Sequence, residues 1–137
     1  PSGYNDQVEY YNELIKIKNY KNADIIHGAK AESVIQYYGL IIIDSLASTI
    51  TSYIFSLKVP IILYVKDISL INPVVLKDIK KRCYLVSDYK MLKSVINEYV
   101  DGKLSSKWSA DIIDRYIYPL DGGHPGPNIT KYLQSIF

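Results

Sequence analysis

Gly39 to Tyr64 read GLIIIDSLASTITSYIFSLKVPIILY. The stretch opens on a bare apolar run, Leu40-Ile41-Ile42-Ile43, which stops at Asp44. Small hydroxyl residues follow, Ser45, Ser48 and Thr49, then a helix-length segment to about Lys58 and a second apolar run, Pro60-Ile61-Ile62-Leu63-Tyr64. Buried strand, polar turn, helix and buried strand make one βαβ unit. In a parallel sheet the carboxyl ends of the strands face the ligand crevice, so the reading places Asp44 to Thr49 at a candidate site. Ser48 and Thr49 stand where the helix should begin. Its unpaired N–H groups and dipole suit a phosphate there. A plain helix cap would use the same residues; their place after a buried strand is what favours a site.

Strands and helices alternate on both sides of this unit. Val8, Tyr11, Leu14, Ile15 and Lys18 fall at helical spacing after a loop over Pro1 to Asp6. Asp24 to His27 reads as a short strand closed by Gly28, and Lys30 to Tyr38 as a short helix. Downstream, Asn72-Pro73 starts a helix to about Arg82, with Pro73 in its first turn. Cys83 to Val86 is a strand, and Ser87 or Asp88 caps a helix from Tyr89 to Tyr99 that Asp101-Gly102 ends. Ser105 or Ser106 caps a further helix to Tyr118 with Trp108, Ile112, Ile113 and Tyr116 on one face. After the turn-rich loop Asp121 to Pro127, Asn128 to Phe137 is a closing helix. The class is α/β, a Rossmann-like parallel sheet with flanking helices, in a single partial domain over residues 1–137.

The totals narrow the function classes. A formal charge of +2 over 137 residues, with Lys and Arg scattered among acids, provides no broad nucleic-acid surface. Lys58, Lys66, Lys77, Lys80, Lys81 and Arg82 make the middle basic and read as a solvated face. The single cysteine, Cys83, has no disulfide partner and reads as a packed thiol in a reducing, cytoplasmic compartment. No apolar run approaches the roughly 20 residues that span a bilayer. The chain opens at Pro1-Ser2-Gly3 without Met, which reads as a fragment or a processed product.

Few other residues suggest chemistry. His27 and Gly28 end a strand near the same rim, and His27 could bind phosphate or act as an acid. Glu32, at the next helix start, could contact a sugar hydroxyl or simply complement the dipole. Asp121 and His124 have no nucleophile or metal spaced to them, and two histidines without a Cys cluster argue against zinc. There is no G-x-G-x-x-G and no Walker lysine loop. No cofactor or metal is called for.

This order of pieces resembles the carboxyl-terminal, donor-binding domain of GT-B glycosyltransferases. The nearest in pattern are bacterial surface-polysaccharide enzymes and CDP-glycerol glycerophosphotransferases. Their strand-end T-D-Y-S-S, helix and K-P-V-I-x-Y are matched by Asp44-Ser45-Leu46-Ala47-Ser48-Thr49 and Lys58-Val59-Pro60-Ile61-Ile62-Leu63-Tyr64, within a likeness that covers about Asp24 to Asp67. The resemblance implies that Ser45, Ser48 and Thr49 contact the donor pyrophosphate, with His27, Gly28, Glu32 and Asp44 on the rim. It implies a nucleotide-activated sugar or glycerol donor and an acceptor domain that this chain lacks, so that the chain alone does not turn over. It also leaves room for peripheral membrane association of the full enzyme at the inner face. The helix Ile50-Thr51-Ser52-Tyr53-Ile54-Phe55 departs from the family in having no acid to grip a ribose. In the family's sheet order, further strands lie between the Asp24–His27 and Leu40–Ile43 strands, so the isolated chain would lack the middle of the sheet. UDP-N-acetylglucosamine 2-epimerases share this architecture and are a rival reading. A non-catalytic nucleotide- or partner-binding α/β module is another.

Overall fold

A computed structural model describes residues 3–19, 21–26, 29–46 and 50–110, with only the backbone of 3–7. The chain divides into two compact units, Pro1–Val34 and Ile35–Phe137.

In the first unit, α1 (Gly3–Ile17) starts inside the stretch expected to be a loop. Val8, Leu14 and Ile15 are half-buried, while Tyr10 and Tyr11 are exposed and meet edge to face at 5.4 Å. Asn19, at φ 52°, closes the helix in the left-handed region that Asn tolerates. The strand expected from Asp24 does not form over residues 24–26. The Asp24 carboxylate accepts the N–H of Ile25 at 2.8 Å, taking a donor that a ladder would need. A five-residue helix, α2 (Ala31–Ile35), spans the boundary between the units.

The second unit is an α/β, Rossmann-like arrangement. In chain order it holds β1 (Ile41–Ile43), α3 (Ile50–Ser56), β2 (Ile61–Tyr64), a 3-10 turn (Ile68–Leu70), α4 (Pro73–Arg82), β3 (Tyr84–Val86) and α5 (Tyr89–Val100). The strands are parallel in the order β1-β2-β3, with Ile42 beside Ile62 and Ile62 beside Tyr84. The middle of this sheet is β2 itself, whose Ile61, Ile62 and Leu63 are fully buried. Pro60 costs no ladder donor because it precedes the strand, and its carbonyl accepts from Ile41 N at 3.2 Å. The outer edge of β1 has no strand partner among the described residues.

Both crossovers step in the same direction, so right-handed connections place α3 and α4 on one face. There Ile41, Ile61 and Leu63 pack with Ile54 and Phe55 of α3 and Ile79 of α4. The opposite side chains of the sheet point to a second face, where Ile62 and Val86 are buried outside that cluster. Helix α5 packs against β2 and β3. Its half-buried stripe is Leu92, Val95, Ile96 and Tyr99, at helical spacing. The Tyr99 hydroxyl reaches Gly39, just before β1, so closely that a Cβ there would collide with it. With α3 and α4 filling the first face, α5 covers the second, folding back from β3 across β2. Ile42, on the edge strand, is left 47% exposed.

The helix ends follow local rules. Asn72 Oδ1 accepts Val74 N at 2.9 Å and Asp88 Oδ1 accepts Met91 N at 2.8 Å, each satisfying an orphan donor. Gly102, at φ 70°, ends α5 while Lys103 N donates to Glu98 O and Gly102 N to Tyr99 O, a Schellman closure.

Arg82 corrects the solvated basic face. Lys77, Lys80 and Lys81 are exposed, but Arg82 is fully buried. Its guanidinium donates to Phe55 O at 2.9 Å, to Val59 O at 3.3 Å and to Leu57 O. It thus caps the end of α3 from the last turn of α4, where the helix's partial negative charge favours a cation. Burial holds its pKa below the usual value.

A second brace runs along the amino edge of the sheet. Lys107 Nζ donates to Cys83 O at 3.3 Å and lies 4.0 Å from the Tyr84 ring centre. The Trp108 indole donates to Ser56 O at 3.1 Å, and Lys58 Nζ sits 4.9 Å over its ring. Trp108 is 39% exposed and precedes any helix, which is described only from Ala110; the rest of the expected Ser106–Tyr118 helix lies outside the described residues.

Cys83 packs in the core, and burial raises its thiol from an ordinary 9.0 to about 12. At pH 8 the native protein should carry about a thousandfold less Cys83 thiolate than the unfolded chain. Alkylation by iodoacetamide should therefore be slow until urea opens the fold; fast modification of the native protein would contradict this packing. Below pH 9.0 the protonated thiol favours the fold, a contribution lost as pH rises from there towards about 12.

Candidate functional site

The carboxyl edge of the sheet is where all three strands hand over to polar turns. After β1, Asp44 and Ser45 are both exposed, whereas Leu46 turns back to pack on the core. Buried Thr51, in α3, donates its hydroxyl to Ser45 O at 3.5 Å, tying the turn to the helix that follows. That contact joins the carbonyl of Ser45, two residues past the strand, to the first turn of the helix.

The ladder between β2 and β3 continues one residue further, with Val65 N donating to Val86 O at 2.9 Å. Exposed Lys66 follows, then Asp67, whose carboxylate accepts Ser69 N at 3.0 Å and Ser69 Oγ at 2.6 Å. The hydroxyl and backbone bonds from Ser69 hold the Asp67 pKa below the usual carboxylate range. After β3 come Ser87 and the capping Asp88. Each strand end therefore carries a carboxylate, but Asp67 and Asp88 each bond to their own following turn. Among the described residues, no group of three or more His, Cys, Asp or Glu side chains is gathered to hold a metal ion.

Of the residues anticipated as phosphate contacts and rim, Asp44 and Ser45 lie at this edge. Ser48, Thr49, His27 and Gly28 lie outside the described residues, as do Asp121 and His124. Glu32 is exposed in the first turn of α2 and belongs to the Pro1–Val34 unit. Lys58, which opens the second half of the motif, stacks on Trp108 at the amino edge, the end of the sheet away from Asp44. Its role there is structural.

The chain matches no family model, no curated protein and no solved structure. The resemblance to GT-B donor domains thus rests on the motif residues and the parallel strand order alone.

Lys66, Ser87 and Tyr89 reach this edge without having been singled out as site residues. The signal for Lys66 and Ser87 is the one that marked Asp44, a polar residue directly after an apolar run, here Ile61 to Val65 and Tyr84 to Val86; Tyr89, which opens α5, carries no such signal. Among the described residues no helix is long and apolar enough to cross a membrane.

Proposed function

We propose that the carboxyl edge of this sheet binds the diphosphate of a nucleotide-activated sugar or glycerol, as the donor-binding part of a GT-B-like transferase in bacterial surface-polysaccharide synthesis. The observation that carries the reading is the turn Asp44-Ser45, exposed at the carboxyl end of a parallel strand and held to the following helix through Thr51. Ligands of open α/β sheets gather at that edge. Ser45, Ser48 and Thr49 would donate to phosphate oxygens. In a transferase these bonds stabilise the leaving nucleoside diphosphate as charge develops on it, an electrostatic contribution. The base that activates the acceptor belongs to the other domain of such an enzyme. The experiment is calorimetry of CDP binding to the protein and to a Ser48→Ala, Thr49→Ala double variant. Each lost hydroxyl should cost roughly 1.5–3 kcal/mol, the range for hydrogen bonds to charged groups. Equal affinity of variant and parent would remove these residues from the site.

A further inference from the structure

The chain changes faces between β2 and β3. After β2 it turns through the 3-10 turn to α4, on the face shared with α3. After β3 it turns the other way, to α5 on the second face. Adjacent parallel strands whose connections diverge in this manner leave a crevice between their carboxyl ends, and such switch points are where open α/β sheets take ligands. Here the two walls begin from a common point, because Val65 N is still bonded to Val86 O. Lys66 leaves on one side and Ser87-Asp88-Tyr89 on the other.

The side chains at this opening are of two kinds. Lys66 is exposed, and no hydrogen bond or ion pair engages it among the described residues. The turns that leave the two strands also carry large apolar groups left to solvent: Leu70 after β2 is 82% exposed, and after β3 Tyr89 is 76% and Met91 44% exposed. A cation one residue after Val65 and an exposed aromatic ring three residues after Val86, on segments joined by the Val65–Val86 bond, fit a ligand with an anionic part and a flat ring. Strands lie about 4.8 Å apart, so the ends of β1 and β3 are separated by about 10 Å, which a nucleoside diphosphate can span.

Resting on the reading that the carboxyl edge takes a nucleoside diphosphate, we propose that the nucleoside lies in the crevice between β2 and β3. Its base stacks on Tyr89, and Lys66 holds a phosphate on the way to the β1 turn. This supplies the nucleoside contact that α3 lacks, since Ile50 to Ser56 contains no acidic residue to bind a ribose.

The test is an NMR titration of the full chain with CDP, together with Lys66→Ala, Tyr89→Leu and Tyr89→Phe. Amide signals of Lys66, Ser87 and Tyr89 should move. Lys66→Ala and Tyr89→Leu should each weaken CDP about tenfold, the size of one contact to a charged or stacked group. Tyr89→Phe keeps the ring and should bind as the parent does. If CDP binds Lys66→Ala and Tyr89→Leu with parental affinity while Ser48→Ala, Thr49→Ala abolishes binding, the diphosphate reading stands and this placement is overturned. If CDP moves no signal of the parent chain, the reading of the edge falls and the placement with it.

Discussion

Replacing Arg82 with Met is expected to destabilise the fold by about 3–5 kcal/mol, the cost of stranding buried acceptors that lose their donors. Arg82 is fully buried and donates to the carbonyls of Phe55, Leu57 and Val59, at the end of α3 and in the turn that leads into β2. Met can fill the volume but donates nothing, so three carbonyls face the gap without a partner. Arg82→Lys keeps the charge but not the planar fork and should fall between, at about 2 kcal/mol. Urea unfolding followed by far-UV circular dichroism measures both. A loss below about 1 kcal/mol for Arg82→Met would mean that water or backbone movement satisfies those carbonyls.

The second large effect separates the two faces of the sheet. Ile62→Ala should cost about 3 kcal/mol, within the range for truncating a buried Ile. Ile42→Ala, on the neighbouring strand, should cost less than about 1 kcal/mol, since its side chain is already half in solvent. The two residues are register partners and point to the same face. The difference comes from α5, which packs against β2 and β3, leaving Ile62 fully buried and Ile42 47% exposed. Equal costs would show that α5 does not cover that face as described.

Much of this unit was legible from local signals. The apolar runs at Ile41–Ile43 and Ile61–Tyr64 are strands, and Asn72-Pro73, Asp88 and Gly102 mark the helix ends where those residues form caps. The signal failed where a short apolar stretch had a competing local bond. Asp24-Ile25-Ile26 has strand composition, yet Asp24 takes the N–H of Ile25 for itself. It failed again for Arg82, because a basic run on a helix looks solvated unless the end of another helix is known to lie beside it. Trp108 looked like part of a helical stripe; instead its indole reaches Ser56, 52 residues back in the chain, a pairing no local pattern encodes.

The site was legible in part. A polar turn after a buried strand pointed to Asp44 and Ser45, and both are exposed at the carboxyl edge. The crevice between β2 and β3 was not readable, since it depends on which face α5 takes. That choice goes with the long-range contacts of α5 to β2 and β3 and of Tyr99 to Gly39, which the turn residues Ser87 and Asp88 do not encode.

Under the proposed function, this edge recognises a nucleoside through its diphosphate. The most direct test is calorimetry of the purified chain with CDP and, separately, with cytidine, each at low and high salt. CDP should bind at least about tenfold more tightly than cytidine, the value of a single charge-assisted contact. Salt should weaken CDP binding and leave cytidine nearly unchanged, because exposed charges are screened. Cytidine binding as tightly as CDP, or neither binding at all, would rule out recognition through the diphosphate.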